Sequence, residues 1–136
     1  MSKGKANPYK KGKSGELELK NKLNELLGIK AIRGRQYNGS AGNPDIILQQ
    51  QVNGTTTEIP GLHVECKRTE YFQLYKALEQ SESDAREGEI PVVCHRKNND
   101  SWIIIFMLDN LPAVSKWVQS LEDNKGNDCP DEPGEN

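Results

Sequence analysis

Residues 43–68 read NPDIILQQQVNGTTTEIPGLHVECKR, and this stretch decides how the rest of the chain is organised. Its two ends, residues 43–48 and 62–68, are short, rich in apolar residues and bounded by Gly and Pro, which predicts two strands. Successive side chains of a strand point to opposite faces. The apolar face of the second strand is formed by Leu62, Val64 and Cys66. The opposite face carries a carboxylate, an ammonium and an imidazole, which belong to Glu65, Lys67 and His63.

Two carboxylates of this stretch come from neighbouring strands. Asp45 opens the first strand and Glu65 lies in the second, so both can converge on one point. Such oxygen donors suit Mg²⁺, which proteins hold through one or two carboxylates while water and substrate phosphate oxygens complete its shell. Lys67 would add a compact positive charge beside a scissile phosphate. The stretch therefore predicts a metal-dependent site for phosphate chemistry.

The turn between the two strands decides whether these carboxylates can meet. Asn53-Gly54 predicts a two-residue hairpin turn, and unbroken pairing about it would place Asp45 opposite Leu62, on the apolar face. An odd slip in register moves Asp45 to the face of Glu65. Pro within a strand is confined to edges, first residues and bulges. We therefore predict a bulge or break at Pro60-Gly61, or a turn wider than two residues.

Charge is distributed unevenly along the 136 residues, whose net charge is −2. Residues 1–13 carry five Lys and no acid, whereas residues 122–136 carry six acids and one Lys. We expect a flexible basic arm over 1–13, one folded domain over 14–121 and a disordered acidic tail over 122–136. A basic arm favours contact with phosphates, and a solvated terminus is the plainer alternative.

The cysteines and the hydropathy pattern exclude several classes of protein. Cys66, Cys94 and Cys129 are odd in number and lack metal-binding spacing, so neither a disulfide framework nor a zinc site is expected. No apolar run approaches the roughly 18 residues of a membrane span, and no signal peptide is visible. We expect a protein of the reducing cytosol that does not enter a membrane.

Helix signals lie on the N-terminal side of the carboxylate stretch. Ser14 predicts the cap and Gly28 the end of a helix over residues 14–27. Glu16 lies on its inward face and could reach a site between helix and sheet, although a first-turn Glu stabilised by the helix dipole is the alternative. The apolar stripe of this helix is predicted to be Leu19, Leu23 and Leu26.

A loop over residues 33–42 follows a short predicted strand, residues 29–32, and leads into Asp45. It is rich in Gly, Arg and Ser, so its backbone N–H groups and guanidinium forks could approach phosphates, and a plain surface connection is the alternative. The side chains that we expect to bind DNA are Lys11, Lys13, Arg33, Arg35, Ser40 and Arg68.

The second half of the chain predicts two helices and two strands. One helix spans residues 71–87 and ends at Gly88, with an apolar side made of Leu74, Leu78 and Ala85, flanked by Phe72 and Tyr75. The strands span residues 91–95 and 102–108, joined by a turn at 97–100, and a last helix follows a cap at Asp109 or Asn110. Strand 102–108 is apolar on both faces, which predicts burial on both sides or cover by a partner subunit.

Pro44-Asp45, followed about twenty residues later by Glu65-Cys66-Lys67, resembles the PD-(D/E)XK nuclease motif. About residues 9–118 resemble the Holliday junction resolvases of archaea and related bacteriophage proteins, in which residues 11–19 match the opening helix and 33–40 the mobile loop. The resemblance implies an α/β fold with a restriction-endonuclease-like core, a central mixed β-sheet flanked by helices. It also implies a homodimer, Mg²⁺ for which Mn²⁺ can substitute, and a bacterial or phage-infected cell as the setting.

The resemblance further implies a role for each motif residue. The metal ligands would be Asp45, Glu65, the backbone carbonyl of Cys66 and, directly or through water, Glu16. Lys67 would orient or deprotonate the attacking water. The supporting residues would be Gln80, which matches a glutamine near the active site of related nucleases, and His63, by packing or hydrogen bonding.

The motif and the resemblance together predict a Mg²⁺-dependent, structure-selective DNA endonuclease that resolves four-way junctions. The resemblance implies that cleavage leaves a 5′-phosphate and a 3′-hydroxyl. No nucleotide cofactor is expected. One alternative is a nickase or restriction-like enzyme acting on duplex or flap DNA, and the fold cannot choose between them. Another is a DNA-binding accessory module without catalysis. A third treats Glu65 and Lys67 as a structural ion pair.

Overall fold

The computed structural model describes residues 8–34 and 43–128, and the side chains of residues 13–34 and 43–123. In chain order its elements are α1 (Pro8–Leu27), β1 (Lys30–Arg33), β2 (Ile46–Val52), β3 (Thr55–Glu58), β4 (Leu62–Arg68), α2 (Leu74–Asp84), β5 (Ile90–Arg96), β6 (Ile103–Ile105), a 3₁₀ helix (Leu108–Asn110) and α3 (Leu111–Asp128). None of the helices described is long and apolar enough to cross a membrane.

The strands of the described chain form one six-stranded mixed sheet in the order β1-β2-β4-β5-β6, with β3 paired to β2 off this path. β4 and β5 are parallel, and the other pairs are antiparallel. Parallel neighbours need a crossover connection, which α2 provides. The predicted class, an α/β fold with a central mixed sheet flanked by helices, is confirmed.

The helices cover the two faces of the sheet differently. On one face, Leu19 of α1 and Trp117 and Leu121 of α3 join a core with buried residues of the central strands. On the other face, Ala77 and Leu78 of α2 pack against Val93 of β5 in a smaller cluster. The alternation of β4 decides this partition, because Val64 faces the larger core while His63 and Glu65 face α2.

The break at Pro60-Gly61 is present as predicted. Asn53 and Gly54 both have positive φ, 54° and 78°, and form the tight turn that pairs Val52 with Thr55. Continued pairing would set Ile46 opposite Gly61, whereas Ile46 lies opposite Val64. Residues 59–61 therefore introduce an odd slip between β3 and β4, which reverses the face that each β2 residue shares with β4.

Helix α3 holds this break in place. The Trp117 indole Nε1–H donates to the Pro60 carbonyl oxygen at 2.8 Å. Gly61 has φ +115°, and a Cβ built on it would lie 2.6 Å from Trp117 Cδ1. The break thus requires a glycine twice over, once for its backbone conformation and once for the closeness of the indole ring.

The first and last helices are longer than predicted. α1 begins at Pro8, since proline is well suited to a first helical position, and Ser14 lies inside the helix. Its predicted end is confirmed, because Gly28 has φ 66° and its N–H bonds to the Asn24 carbonyl. The assignment of Leu26 to the apolar stripe was wrong: it is 66 % exposed, and Leu27 packs on the core instead. α3 continues to Asp128.

Two elements of the second half are shorter than predicted. α2 spans Leu74–Asp84 and buries Ala77, Leu78 and Ser81, whereas Tyr75 is 80 % exposed. β6 is three residues long and lies at the edge of the sheet. Its Ile103 and Ile104 are about half exposed, so burial on both faces was wrong for the described chain, because an edge strand has no neighbour beyond it.

Candidate metal and phosphate site

Asp45 and Glu65 meet where β2 leaves β4. Asp45 directly precedes β2 and donates its N–H to the Val64 carbonyl at 3.0 Å, next to the Ile46–Val64 pair. Asp45 Oδ2 accepts the Cys66 N–H at 2.8 Å, and the Asp45 and Glu65 carboxyl groups are within hydrogen-bonding reach of each other. Two carboxylates from neighbouring strands therefore do converge on one point.

The electrostatics of this pair are those of two acids held close together in a largely buried place. Burial, and next the charge of Glu65, raise the pKa of Asp45 from 3.8 to about 7, although the Cys66 N–H bond opposes the rise. Glu16 adds a further negative charge nearby. Like charges this close cannot both ionise easily, so the pair holds a proton near neutral pH. A divalent cation in the proton's place would be bound by oxygen donors alone.

Glu16 reaches this region from α1 and is bound by an arginine. Arg33 Nε, at the end of β1, donates to Glu16 Oε1 at 2.9 Å. The next residue, Gly34, donates its N–H to the Asp45 carbonyl at 2.8 Å, and a Cβ at this position would overlap the Pro44 carbonyl oxygen. Because Gly34 has no side chain, β1 can approach Asp45 closely and carry Arg33 to the edge of the site.

Lys67 lies two residues beyond Glu65 on the same face of β4 and is partly exposed. No hydrogen bond or ion pair ties it to any described residue. The ammonium group is therefore not held by a partner among the described residues. Gln80, which the resemblance gives as a supporting residue, is exposed on α2.

His63 is completely buried and lies between acidic groups. Its Nε2 is 2.6 Å from Glu65 Oε2, and its Nδ1 is 3.5 Å from Glu89 Oε1. Burial lowers the pKa of His63, but the hydrogen bond and charge of Glu65, with Glu89 and Asp84 behind it, raise the pKa above its usual value.

The residues near His63 that the sequence did not single out are Asp84, the last residue of α2, and Glu89, in the turn before β5. A carboxylate oxygen of Asp84 lies within 4.8 Å of His63 and Glu65 ligand atoms. Finding these acids required the parallel pairing of β4 with β5, which brings the C-terminal end of α2 beside His63.

The predicted DNA-binding residues are in different situations. Lys13 is exposed on α1. Arg68 is mostly buried, and its Nε bonds Glu18 Oε1 at 3.3 Å, an oxygen that also accepts Arg96 Nη1 at 2.7 Å. Arg33 is paired with Glu16, as described above. The side chain of Lys11, and Arg35 and Ser40 altogether, lie outside the described residues.

The described donors thus form an oxygen-rich pair, Asp45 and Glu65, and Lys67 follows on the same face of β4 without a partner among the described residues. No protein-family model matches the chain, and no curated protein matches it. Among solved structures, the chain is similar to Archaeoglobus fulgidus Hjc, a Holliday junction resolvase from an archaeal hyperthermophile. The identity is 24 % over 71 % of this chain and 72 % of that one, with a TM-score of 0.48. At this TM-score the likeness carries no argument about activity, which must come from the side chains.

Proposed function

We propose that this protein is a metal-dependent endodeoxyribonuclease that hydrolyses phosphodiester bonds in four-way DNA junctions, with Mg²⁺ as the cofactor and Mn²⁺ as a substitute. The observation that carries the proposal is the convergence of Asp45 and Glu65, where burial and then the charge of Glu65 raise the pKa of Asp45 to about 7. Paired carboxylates that repel each other are strongly stabilised by a cation bound between them. The free ammonium of Lys67 supplies the third group that phosphodiester hydrolysis needs.

The donor set fits a hard divalent ion. Asp45 and Glu65 would hold Mg²⁺ together with the Cys66 carbonyl, and Glu16 would act through water because Arg33 already occupies one of its oxygens. The bound ion would polarise the phosphate and neutralise charge that develops on it. The Cys66 N–H keeps Asp45 Oδ2 fixed, so the carboxylate does not have to be reoriented when the site fills.

The chain's own residues would supply orientation and proton transfer. Lys67 would orient the attacking water and offset charge on the pentacoordinate phosphate, and help of this kind contributes roughly 10²–10⁴-fold to a rate. Arg33 Nε donates to Glu16, and the remaining guanidinium N–H groups of Arg33 would donate to DNA phosphates. Attack in line with the leaving oxygen would leave a 5′-phosphate and a 3′-hydroxyl.

A junction cut on two opposed strands needs two active sites, so we propose a homodimer with twofold symmetry. The edge strand β6 supports this assembly, because Ile103 and Ile104 are 51 % and 54 % exposed. Leu108 and Leu111 continue the exposed apolar surface at 78 % and 49 %. A second copy on this surface would cover an edge that otherwise invites non-specific pairing.

The experiment is a cleavage assay in which a four-way junction competes with linear duplex of the same sequence while Mg²⁺ or Mn²⁺ is titrated at fixed salt. We expect metal-dependent cutting of the junction in preference to the duplex. Asp45→Asn should abolish cutting and retain DNA binding. Asp100→Asn, in an exposed ion pair with Lys97, is the matched control and should cut like the parent.

Two results would redirect the proposal. Equal cutting of junction and duplex would indicate a nickase or restriction-like enzyme. Tight binding of DNA with no cutting at any metal concentration would indicate an accessory module that keeps the fold without catalysis.

A further inference from the structure

An open cavity of about 420 Å³ lies between strands β1 and β2 and the turn that joins α2 to β5. Helix α2 packs against β4 and β5, and the first two strands contribute much of the cavity wall. Ile32 of β1 and Ile47 of β2 are partners in the register of these strands, and both line the cavity. Pockets that hold small organic groups have volumes of roughly 300–1,000 Å³, so this cavity is large enough for one.

The cavity lies directly beside Asp45. Pro44, which precedes Asp45, and Ile46, which follows it, both line the cavity. Arg33 is also part of the lining, and its neighbour Gly34 donates its N–H to the Asp45 carbonyl at 2.8 Å. A group bound in the cavity would therefore contact the chain on both sides of Asp45.

The lining combines apolar surface with charges of both signs. Most of its residues are apolar, and its charged residues are Arg33, Arg86, Glu58 and Glu89. A bare phosphate would be repelled by the two carboxylates, and a purely apolar ligand would strip water from the charged groups without replacing it. A ligand with a flat, partly polar body and an attached anion suits such a lining best.

Arg86 is free to bind that anion. Its side chain is exposed, and no hydrogen bond or ion pair ties its guanidinium group to another described residue. Its backbone N–H donates to Glu89 Oε1 at 2.8 Å, which holds the turn that carries Arg86. Arg33 has only part of its guanidinium group engaged, because Nε donates to Glu16. Guanidinium groups bind phosphates through several parallel N–H donors, so both arginines complement a DNA backbone.

We propose that the cavity binds one unpaired nucleotide of the DNA strand that is cut, with its base against Pro44 and Ile47 and its phosphate held by Arg86. This inference rests on the proposed function, because it places the nucleotide next to the scissile phosphate. Taking a base out of a duplex is costly, and the cost is least for a base that is already unpaired. A branch point offers such bases and a continuous duplex does not. The cavity therefore favours branched DNA over linear duplex.

Binding of the full-length protein to labelled junctions in chelator tests the cavity without any cleavage. One junction carries a single unpaired nucleotide at the branch, and the other carries an abasic nucleotide at the same place. We expect the junction with the base to bind at least about fivefold more tightly, the lower end of what contact with one base contributes. Arg86→Ala should weaken binding to both and reduce the slope of log affinity against log salt by roughly 0.7–0.9, the loss of one phosphate contact.

Two further variants separate the cavity from general attraction to DNA. Ile47→Trp places a large ring in the cavity and should remove the preference for the junction with the base. Its unfolding midpoint shows whether it folds, and Arg86→Ala remains informative if it does not, because Arg86 is exposed. Lys116→Ala removes an exposed cation from α3 that does not line the cavity. It should keep the parental preference and salt slope.

Three outcomes would overturn the proposal. One is equal affinity of the parent for the two junctions, and another is an Arg86→Ala variant with parental affinity and salt slope. The third is a changed sedimentation of Ile47→Trp with unchanged DNA binding, which would assign the cavity to contact between copies of the chain. Base preference without cutting in Mg²⁺ would contradict only the proposed nuclease, and cutting without base preference would contradict only this inference.

Discussion

The two faces of the sheet differ in what they bury. The face covered by α1 and α3 buries apolar side chains around Leu19, Val64 and Leu121. The face covered by α2 has a small apolar cluster, and it also carries the buried polar residues of the described chain, which are His63, Glu65, Ser81 and His95. Burial of polar groups is costly unless they are paired. The first face therefore supplies stability, and the second gives up stability to hold reactive groups in place.

The largest effect expected on the polar face is on catalysis. Lys67→Ala should lower the rate of junction cleavage by roughly 10²–10⁴-fold, because the free ammonium supplies charge and water orientation in the transition state. Its unfolding midpoint should change little, since Lys67 has no described partner. Rates would be compared at saturating metal. Lys97→Ala is the matched control for loss of a lysine, and similar losses in both variants would refute a specific role for Lys67.

The second effect is on the break at Pro60-Gly61, which decides the face of the sheet that each β2 residue shares with β4. Gly61→Ala should lower the free energy of unfolding by at least about 3 kcal/mol, because it combines an unfavourable φ with overlap on Trp117. Gly54 also has positive φ but open space around its missing Cβ, so Gly54→Ala should cost only about 1–2 kcal/mol. Denaturant unfolding measures both. Equal losses would show that Trp117 does not hold the break.

The sequence predicted the parts of the site that depend on strand periodicity. Alternation along β4 placed Glu65 and Lys67 on one face, and the parity of the turn at Asn53-Gly54 required the slip found at Pro60-Gly61. These inferences succeeded because register in a strand has a period of two, so a single parity argument decides which face a side chain takes. The class of the fold followed from the same alternation of strands and helices.

The features of the structure that depend on packing between distant elements were not predicted. The exposure of Leu26 and Tyr75 depends on how each helix is rotated about its axis on the sheet. A stripe of apolar residues in the sequence does not define this rotation to the accuracy of a single residue. The ion pairs of Arg33 and Arg68 with acids of α1 were not foreseen, and contact of these two arginines with DNA stays a prediction. Such pairs between elements far apart in the chain appear only when the strand order is known.

A third effect is the pH dependence of stability in metal-free protein. The pKa of Asp45 is raised from 3.8 to about 7, so the folded state keeps a proton that the unfolded state has lost. Stability from this group is complete below pH about 3.8 and disappears as the pH rises through about 7. Between pH about 5 and 8, the parent's midpoint should fall at least roughly 4 °C more than that of Asp45→Asn, the shift expected of about 1 kcal/mol.

Adding Mg²⁺ extends the comparison of unfolding midpoints between the parent and Asp45→Asn. At pH about 8 it should raise the midpoint of the parent, because a cation replaces the lost proton, and should leave Asp45→Asn nearly unchanged. Parallel pH profiles of the two proteins in chelator would contradict the assignment of the raised pKa to Asp45.

The smallest effect has the opposite sign. Ser81 is a completely buried residue of α2, and its Oγ has no hydrogen-bond partner among the described residues. Ser81→Ala removes a buried hydroxyl that is not paired and adds a better helix former, so it should raise the free energy of unfolding by up to about 1 kcal/mol. Cleavage should stay at the parental rate. Destabilisation would mean that the hydroxyl has a partner. Parental function with increased stability would instead show that only part of the polar face is reserved for chemistry.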